Sequence, residues 1–354
     1  MQLGIIGMPL VGKTTVFELL TESRDKTLNT GKTNTAMARV PDERIDYLSG
    51  LFKPKKTTYA QLEILDIPGL VPGAEKAASV FLEAVRRADA LLHVVRLFDD
   101  PSVPTMSGEI NPVKDIDIIN YELLLADLEM LEKRIERINS NKKKNQMLLE
   151  LVLLERLKTA VEDEKPLSSL ELNSDEIEIL SSYQFLTSKP MLVCLNVSEE
   201  DLVKKDYTDR GALFEISQSK QLPMIEISAE IEREIAELEG EEKDLFMDEI
   251  GIEEAGIVKI CRTMYKRLGL ISFFTVGEDE VKAWTIDEGT VARKAAGKIH
   301  SDIERGFIRA EVVEYNHLKE LGSMSAVREK GLFRLEGKEY VVKDGDIIHF
   351  RFNV

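Results

Sequence analysis

Hydrophobic residues form short runs along the first two hundred positions, and each run is followed by turn residues or by polar residues. The runs span 2–6, 61–65, 90–95 and 191–195. Such runs are typical of strands that are buried on both faces of a parallel sheet. Helical patterns at 14–22 and 77–87 lie between them. This alternation predicts an α/β fold with a doubly wound, mainly parallel sheet.

The apolar spacing changes to threes and fours between 121 and 188, as expected for packed helices. One seam consists of Leu124, Leu128, Leu131, Ile135 and Ile138, and a second consists of Met147, Leu151, Leu154, Leu157 and Val161. The polar segment 139–145 between the seams is able to reverse the chain. We therefore predict an inserted antiparallel α-helical hairpin, although a packed helix pair that binds no partner fits the pattern equally well.

After Gly269 the pattern changes to strand-like alternation with glycine turns. This change predicts a small, mixed, β-rich domain at 271–354. The remaining parts, 1–120 and 189–270, are assigned to the sheet domain, and 121–188 to the hairpin.

The composition of the chain argues against a membrane protein and against a protein that binds nucleic acids nonspecifically. The chain is 43% hydrophobic and 31% charged, and no apolar run has the roughly 18 to 20 residues that a membrane span needs. The start of the chain lacks a basic leader, so we expect a cytoplasmic protein without a membrane partner. A net charge of −17 argues against nonspecific nucleic-acid binding, and no DNA partner is predicted. Cys194 and Cys261 lack metal-site or disulfide spacing, and the four scattered histidines are expected to be structural.

Residues 7–14 match the phosphate-binding loop G-x-x-x-x-G-K-[ST], with a predicted strand before them and a predicted helix after them. The glycines let the backbone wrap so that its N–H groups point at phosphates, and the helix N-terminus adds a favourable dipole. Lys13 is expected to act catalytically on the β- and γ-phosphates, and the Thr14 hydroxyl to bind Mg²⁺. The predicted nucleotide contacts here are Gly7, Met8, Pro9, Leu10, Val11, Gly12, Lys13, Thr14 and Thr15.

A second motif, Asp66-Ile67-Pro68-Gly69, ends the predicted strand 61–65. The Asp66 carboxylate would therefore emerge at the same sheet edge as the phosphate loop and hold Mg²⁺. The Gly69 N–H is expected to sense the γ-phosphate and to contribute to catalysis. Leu70 follows, and its apolar side chain is unable to orient an attacking water as a glutamine would.

The base-reading motif follows the predicted strand 191–195. Guanine-specific switches of this fold carry N-K-x-D there, whereas this chain has Asn196, Val197, Ser198 and Glu199. These replacements should disturb the pairing of a carboxylate with guanine, so that adenine is favoured. Ser228, Ala229 and Glu230 have the form of the loop that flanks the base.

With these motifs in order, the chain resembles the YchF or Obg-like ATPase family of P-loop proteins. The resemblance is densest in the segments 283–286, 295–302, 306–312 and 344–354, which look like that family's ubiquitin-like TGS domain. It implies ATP preferred over GTP, Mg²⁺ as cofactor and association with ribosomes or RNA. It also implies a first switch near Thr30 and Asn34, with Thr30 as a further metal ligand.

Three positions depart from the family pattern. Leu10 stands where the family usually has asparagine, a position linked to potassium-assisted hydrolysis. The segment 69–78 is about three residues short, and Thr105 stands where a histidine is often found. Nucleotide binding is therefore a safer expectation than efficient turnover.

These observations favour a slow ATPase that acts as a conformational switch. A nucleotide-gated RNA- or ribosome-binding protein with negligible hydrolysis is the alternative, and a GTPase is a third hypothesis. In the last domain, four basic side chains around Phe307 are predicted to form a face that binds RNA or protein, with a merely solvated charged face as the alternative: Lys294, Lys298, Arg305 and Arg309.

Overall fold

A computed structural model of the chain describes residues 1–23, 32–105, 108–142 and 144–353. The chain divides into two compact units. The first contains Met1–Ala36 and Glu63–Ile260, and the second contains Met37–Leu62 and Cys261–Val354. Among the described residues, no helix combines the length and the apolar character needed to cross a membrane.

The strands and helices are numbered in chain order. The strands are β1 (Gln2–Ile6), β2 (Asn34–Arg39), β3 (Lys56–Thr58), β4 (Gln61–Asp66), β5 (Ala90–Arg96), β6 (Met191–Asn196), β7 (Met224–Ile227), β8 (Leu270–Thr275), β9 (Glu280–Asp287), β10 (Phe307–Glu314), β11 (Arg334–Glu336) and β12 (Asp346–Phe352). The helices are α1 (Lys13–Thr21), α2 (Glu43–Phe52), α3 (Glu75–Arg87), α4 (Pro112–Asn139), α5 (Leu148–Glu162), α6 (Ser174–Leu180), α7 (Glu199–Lys204), α8 (Arg210–Ser219), α9 (Ala229–Glu237), α10 (Gly240–Glu249), α11 (Gly256–Arg267), α12 (Ala292–Ile299), α13 (Ser301–Arg305), α14 (Tyr315–Leu321) and α15 (Met324–Glu329).

The sheet of the first unit has the order β2-β4-β1-β5-β6-β7. β1 pairs in parallel with β4 and β5, and β6 pairs in parallel with β5 and β7. Every residue of β5 is buried, because helices cover both faces of a doubly wound sheet. The predicted α/β fold is confirmed, and each of the four predicted strands is present with bounds that differ by at most one residue.

The two predicted helical seams form a hairpin of α4 and α5. Leu131, Leu154 and Leu157 are fully buried in one core cluster with Ile138. A buried carboxylate fixes the return of the chain to β6: Asp127 accepts hydrogen bonds from the backbone N–H groups of Leu186 and Thr187, each at 2.8 Å. The hairpin is therefore anchored to the strand that leads into the base-reading motif.

The second unit contains a mixed sheet with the order β11-β10-β12-β8-β9-β3. Its core cluster packs α12 against β8, β9, β10 and β12 through apolar side chains such as Phe273, Ala296 and Ile348. β3 pairs in parallel with β9. Residues 37–62 therefore group with the C-terminal residues, whereas the sequence pattern predicts them as part of the nucleotide-binding domain. The hairpin residues 121–188 group with the first unit, and a separate hairpin domain stays a prediction.

The basic face predicted around Phe307 does not include Arg309, and for Lys294, Lys298 and Arg305 it stays a prediction. Lys294 forms an ion pair with Glu304 at 3.0 Å, and Arg305 forms one with Asp302. Ala310 packs in the core cluster that α12 covers, so strand alternation places its neighbour Arg309 on the opposite side of the sheet. The sequence shows four positive charges near each other along the chain. It does not show on which side of a helix or of the sheet each charge lies.

Candidate functional site

The phosphate loop between β1 and α1 has a backbone that only certain residues adopt easily. Gly7 has a φ of 143° and Gly12 a φ of 96°, both in the region that favours glycine. A Cβ atom on Gly7 would lie 2.3 Å from the carbonyl oxygen of Val94, and one on Gly12 would lie 2.4 Å from Nδ2 of Asn196. Both glycines are therefore needed for the close approach of neighbouring strands and loops.

Leu10 also has a left-handed backbone, with a φ of 63°, and its side chain is 47% exposed. A branched aliphatic residue is strained in this region, whereas asparagine is tolerated. The presence of leucine instead of asparagine at position 10 therefore strains the backbone of the phosphate loop.

Lys13 is folded over the phosphate loop. Its Nζ donates hydrogen bonds to the carbonyl oxygen of Met8 at 2.6 Å and to that of Gly7 at 3.3 Å. Burial lowers the pKa of Lys13 to about 8, against the opposing effect of the nearby Asp66 carboxylate. A cation enclosed by backbone carbonyls and one carboxylate is suited to bind phosphate oxygens.

Thr14 and Asp66 meet at the end of β4. The Thr14 hydroxyl donates to Oδ2 of Asp66 at 3.1 Å. Burial raises the pKa of Asp66, while the Thr14 hydrogen bond, the Lys13 charge and a hydrogen bond with Asn34 act in the opposite direction. One carboxylate and one hydroxyl fit Mg²⁺, which takes oxygen ligands and binds with few protein groups when phosphates supply the rest. Within the described ranges there is no cluster of three acidic, histidine or cysteine side chains that would hold a metal alone.

The segment after Asp66 touches the phosphate loop directly. The Leu70 N–H donates to the carbonyl oxygen of Gly7 at 3.2 Å. A Cβ atom on Gly69 would lie 2.7 Å from the backbone nitrogen of Pro9 and 3.0 Å from Nζ of Lys13. The Leu70 side chain is only 1% exposed. Gly69 thus lies beside Pro9 and Lys13, and Leu70 belongs to the core.

Asn196 connects the base-reading motif to two other loops. Its Nδ2 donates to the carbonyl oxygen of Val11 at 3.1 Å, and its Oδ1 accepts from the N–H of Ala229 at 3.1 Å. Ser228 caps α9 by accepting from the N–H of Ile231. The three predicted nucleotide-binding segments therefore form one hydrogen-bonded group.

The other predicted base contacts differ in exposure. The Val197 side chain is 2% exposed, and its N–H donates to the carbonyl oxygen of Ile227 at 2.8 Å. Glu199 begins α7 and is exposed, as is Glu230 near the start of α9. Base contacts by these residues stay a prediction, and a contact with Val197 would have to use its backbone.

Two features of the site were not predicted as such. Asn34, at the start of β2, was predicted only as part of the first switch, yet it forms a hydrogen bond with Asp66. His93 on β5 lies opposite Ile6 and is fully buried, and neither of its ring nitrogens has a hydrogen-bond partner among the described residues. Burial lowers the pKa of His93 to about 3. The predicted metal ligand Thr30 lies outside the described residues, and Thr105 is partly exposed in a loop.

Two family profiles match the chain. The profile described as a 50S ribosome-binding GTPase matches residues 2–151. The profile of the YchF GTPase C-terminal domain, described as a protein of unknown function, matches residues 270–353. The first match covers the phosphate loop, and the second covers strands β8 to β12 of the second sheet.

Similar proteins extend over the full length. The ribosome-binding ATPase YchF of Bacillus subtilis is 44% identical, over 99% of this chain and 99% of that protein. Obg-like ATPase 1 of Oryza sativa subsp. japonica is 40% identical, over 100% of this chain and 92% of that protein. The solved structure of the Schizosaccharomyces pombe YchF GTPase is 33% identical and superposes with a TM-score of 0.89, over 99% of this chain and 97% of that chain.

Proposed function

The chain belongs to the YchF and Obg-like ATPase family, and on that premise we propose that it binds and slowly hydrolyses ATP as a ribosome-associated switch. The observation that carries the proposal is the hydrogen-bonded group formed by Asn196, Val11 and Ala229, next to Lys13 and Thr14. This group joins the part of the site that would bind phosphates to the part that would read the base.

Catalysis in this proposal is electrostatic. The loop N–H groups and the Lys13 ammonium bind the phosphate oxygens and stabilise the charge that develops on the transferred phosphoryl group. Thr14 and Asp66 would hold Mg²⁺, which supplies further neutralisation of that charge. Gly69 leaves room beside Pro9 and Lys13, and its N–H would donate to the γ-phosphate.

Slow turnover follows from three residues that lack the chemical groups for activating or positioning water. Leu70 is an alkyl side chain inside the core, so it is unable to align a water molecule. Leu10 offers no side-chain oxygen for a monovalent cation, and Thr105 is no general base at neutral pH. In this proposal the phosphates still bind, but three accelerating groups are absent at these positions: a side chain that orients water, an oxygen ligand for a monovalent cation and a general base.

The preference for ATP follows from the altered base motif. With valine at 197 and glutamate at 199, the lysine of the guanine motif is absent, and the carboxylate, on the exposed first residue of α7, is one methylene further from the backbone than an aspartate would place it. Adenine presents one amino donor and one ring acceptor, which backbone C=O and N–H groups near Asn196 would match.

The switch in this proposal begins at Gly69, whose contact with the phosphate loop would change when a γ-phosphate is bound. A ribosome partner is inferred from relatives named as ribosome-binding, and such a protein would act in the cytoplasm. On the ribosome, the C-terminal TGS-like unit would bind RNA.

Phosphate release from ATP tests this proposal. We expect slow release by the purified protein with Mg²⁺, faster release with ribosomes, and almost none from a Lys13→Ala variant. Release should differ little between potassium and sodium, because Leu10 replaces the usual asparagine. Nucleotide-dependent ribosome binding without any release would instead support the alternative of a nucleotide-gated binding protein.

A further inference from the structure

A groove lies at the open edge of the first sheet, and none of the residues that line it belongs to the phosphate loop. Its volume is about 1400 Å³. One wall is formed by α8 from Arg210 to Ser217, the other by the segment Asp248–Gly256, and Met224 to Glu226 of β7 contribute the edge strand. Further lining residues come from 195–207, Glu232 and Lys259. We call this cavity, with all of its lining residues, the edge groove.

β7 is the last strand of its sheet, so one side of its backbone is not paired. On the inner side, Pro223 accepts from the N–H of Val193 at 3.0 Å, and Ile227 accepts from the N–H of Val197 at 2.8 Å. Because backbone groups alternate in direction along a strand, the N–H and C=O groups of Met224 and Glu226 point away from β6. In the described part of the chain, β7 pairs with no strand other than β6. Such an edge is a template for another extended chain.

The walls of the edge groove carry an excess of negative charge. Seven carboxylate side chains line it, against the three cations Lys205, Arg210 and Lys259. Some of the carboxylates have partners within the fold; for example, Glu232 accepts from the N–H of Gly256 at 2.6 Å, and Glu226 accepts from the Tyr207 hydroxyl at 2.5 Å. The carboxylates of Asp248, Glu249 and Glu253 belong to exposed residues of one wall.

Apolar side chains in the same groove are exposed to solvent. Phe214 is 65% exposed and Val203 is 49% exposed. Every second side chain of an added strand points to the same face of the sheet. A large exposed aromatic side chain beside the unpaired strand is able to contact these side chains.

We propose that the edge groove binds a basic, extended polypeptide segment of a partner protein, which adds to β7 as a further strand. The backbone of the segment bonds to Met224 and Glu226, its lysine or arginine side chains meet the wall from Asp248 to Glu253, and its apolar side chains contact Phe214. The negative charge of the groove favours a basic segment over the two other occupants considered. A nucleic acid would bring phosphates against the carboxylates, and a second copy of the chain carries a net charge of −17 itself.

A labelled peptide tests the proposal with the full-length protein. The probe is an eleven-residue fluorescein-labelled peptide that alternates lysine with valine, measured by fluorescence anisotropy at physiological salt. The triple substitution Asp248→Lys, Glu249→Lys and Glu253→Lys should weaken binding at least tenfold. The matched control carries Glu288→Lys, Glu320→Lys and Glu329→Lys on exposed positions of the second unit and should change binding less than twofold.

Two further measurements separate strand addition from charge attraction. A peptide with the same lysines but with proline in place of valine should bind at least tenfold more weakly, because proline has no N–H and resists strand pairing. Hydrogen exchange at the amides of Met224 and Glu226 should slow when the alternating peptide is bound. Unchanged ATP binding by both triple variants serves as the check that they fold.

The proposal is overturned if both triple variants weaken binding equally, since the attraction would then be general. It is also overturned if the proline peptide binds as well as the alternating peptide, or if a single-stranded RNA, added without any peptide, slows hydrogen exchange at the amides of Met224 and Glu226.

Discussion

The side-chain amide of Asn196 donates a hydrogen bond to the backbone carbonyl oxygen of Val11, with 3.1 Å between the two atoms. These residues are 185 positions apart, and the bond joins the end of β6 to the phosphate loop. The same side chain accepts from Ala229, so one buried amide holds three loops in place. The base-reading motif is therefore part of the support of the phosphate loop, in addition to any contact with the base.

Replacing Asn196 with alanine should weaken ATP binding about tenfold or more. The change leaves the Val11 carbonyl and the part-buried Ala229 N–H without their partner, which loosens the phosphate loop, and an unsatisfied buried group such as the Val11 carbonyl costs about 1–3 kcal/mol. Isothermal titration calorimetry measures the effect. The control Asn111→Ala removes another asparagine that caps α4 through the N–H of Lys114 and should leave ATP affinity within twofold. Unchanged affinity in Asn196→Ala would show that the bond does not support the site.

Replacing Gly69 with alanine should lower the rate of ATP hydrolysis at least tenfold. The added methyl group would lie 2.7 Å from the Pro9 nitrogen, which forces the segment away from the phosphate loop. A Gly50→Ala variant is the matched control, because its Cβ atom meets nothing within 4 Å. Single-turnover phosphate release compares them, and a wild-type rate in Gly69→Ala would contradict the catalytic role of Gly69.

Replacing Leu10 with asparagine should stabilise the protein and introduce a response to potassium. Asparagine tolerates the left-handed backbone better than leucine, by roughly 1 kcal/mol, and its side-chain oxygen is the group that the family resemblance links to potassium. Urea unfolding and phosphate release in potassium or sodium chloride measure the two effects. Leu10→Ala should show neither effect. An asparagine variant that is no more stable than Leu10→Ala would argue against strain at this position.

His93 should make the protein less stable in mild acid. Its pKa is about 3 in the folded chain and about 6.5 when unfolded. Below pH 6.5 the unfolded chain therefore binds a proton that the folded chain does not. Stability falls as the pH decreases from 6.5 towards 3, by about 2 kcal/mol between pH 8 and pH 5 from this group alone.

The comparison of His93→Leu with the wild type measures this loss. Urea unfolding at pH 8 and pH 5 should show a smaller decrease in the free energy of unfolding for the variant. His349→Leu removes an exposed imidazole and should retain the wild-type decrease. If His93→Leu loses as much stability in acid as the wild type, other groups dominate acid sensitivity.

The sequence predicts the parts of this molecule that rest on local patterns. Apolar runs identified β1, β4, β5 and β6 because buried parallel strands need such runs. The heptad-like spacing identified α4 and α5 because packed helices bury one side each. The phosphate loop was recognisable because its glycines occur at fixed spacing before Lys13 and Thr14.

Contacts between distant positions were not predictable in the same way. No local pattern indicates that Asn196 bonds Val11, or that the Glu232 carboxylate would cap α11 through Gly256. The grouping of residues 37–62 with the C-terminal sheet depends on the pairing of β3 with β9, which the sequence of three strand residues does not specify. Arg309 was wrongly grouped with the other basic side chains around Phe307, because nearness along the chain does not determine which side of a sheet a residue occupies.

Competition between ATP and GTP tests the central claim most directly. A fluorescent ATP analogue bound to the protein with Mg²⁺ is displaced by unlabelled ATP or GTP, and the two dissociation constants are compared. The account predicts that ATP displaces the analogue at a concentration at least tenfold lower than GTP, because Val197 and Glu199 replace the residues that read guanine. Equal or tighter binding of GTP would contradict this interpretation of residues 196–199 and, with it, the assignment of the protein as an ATP-dependent switch.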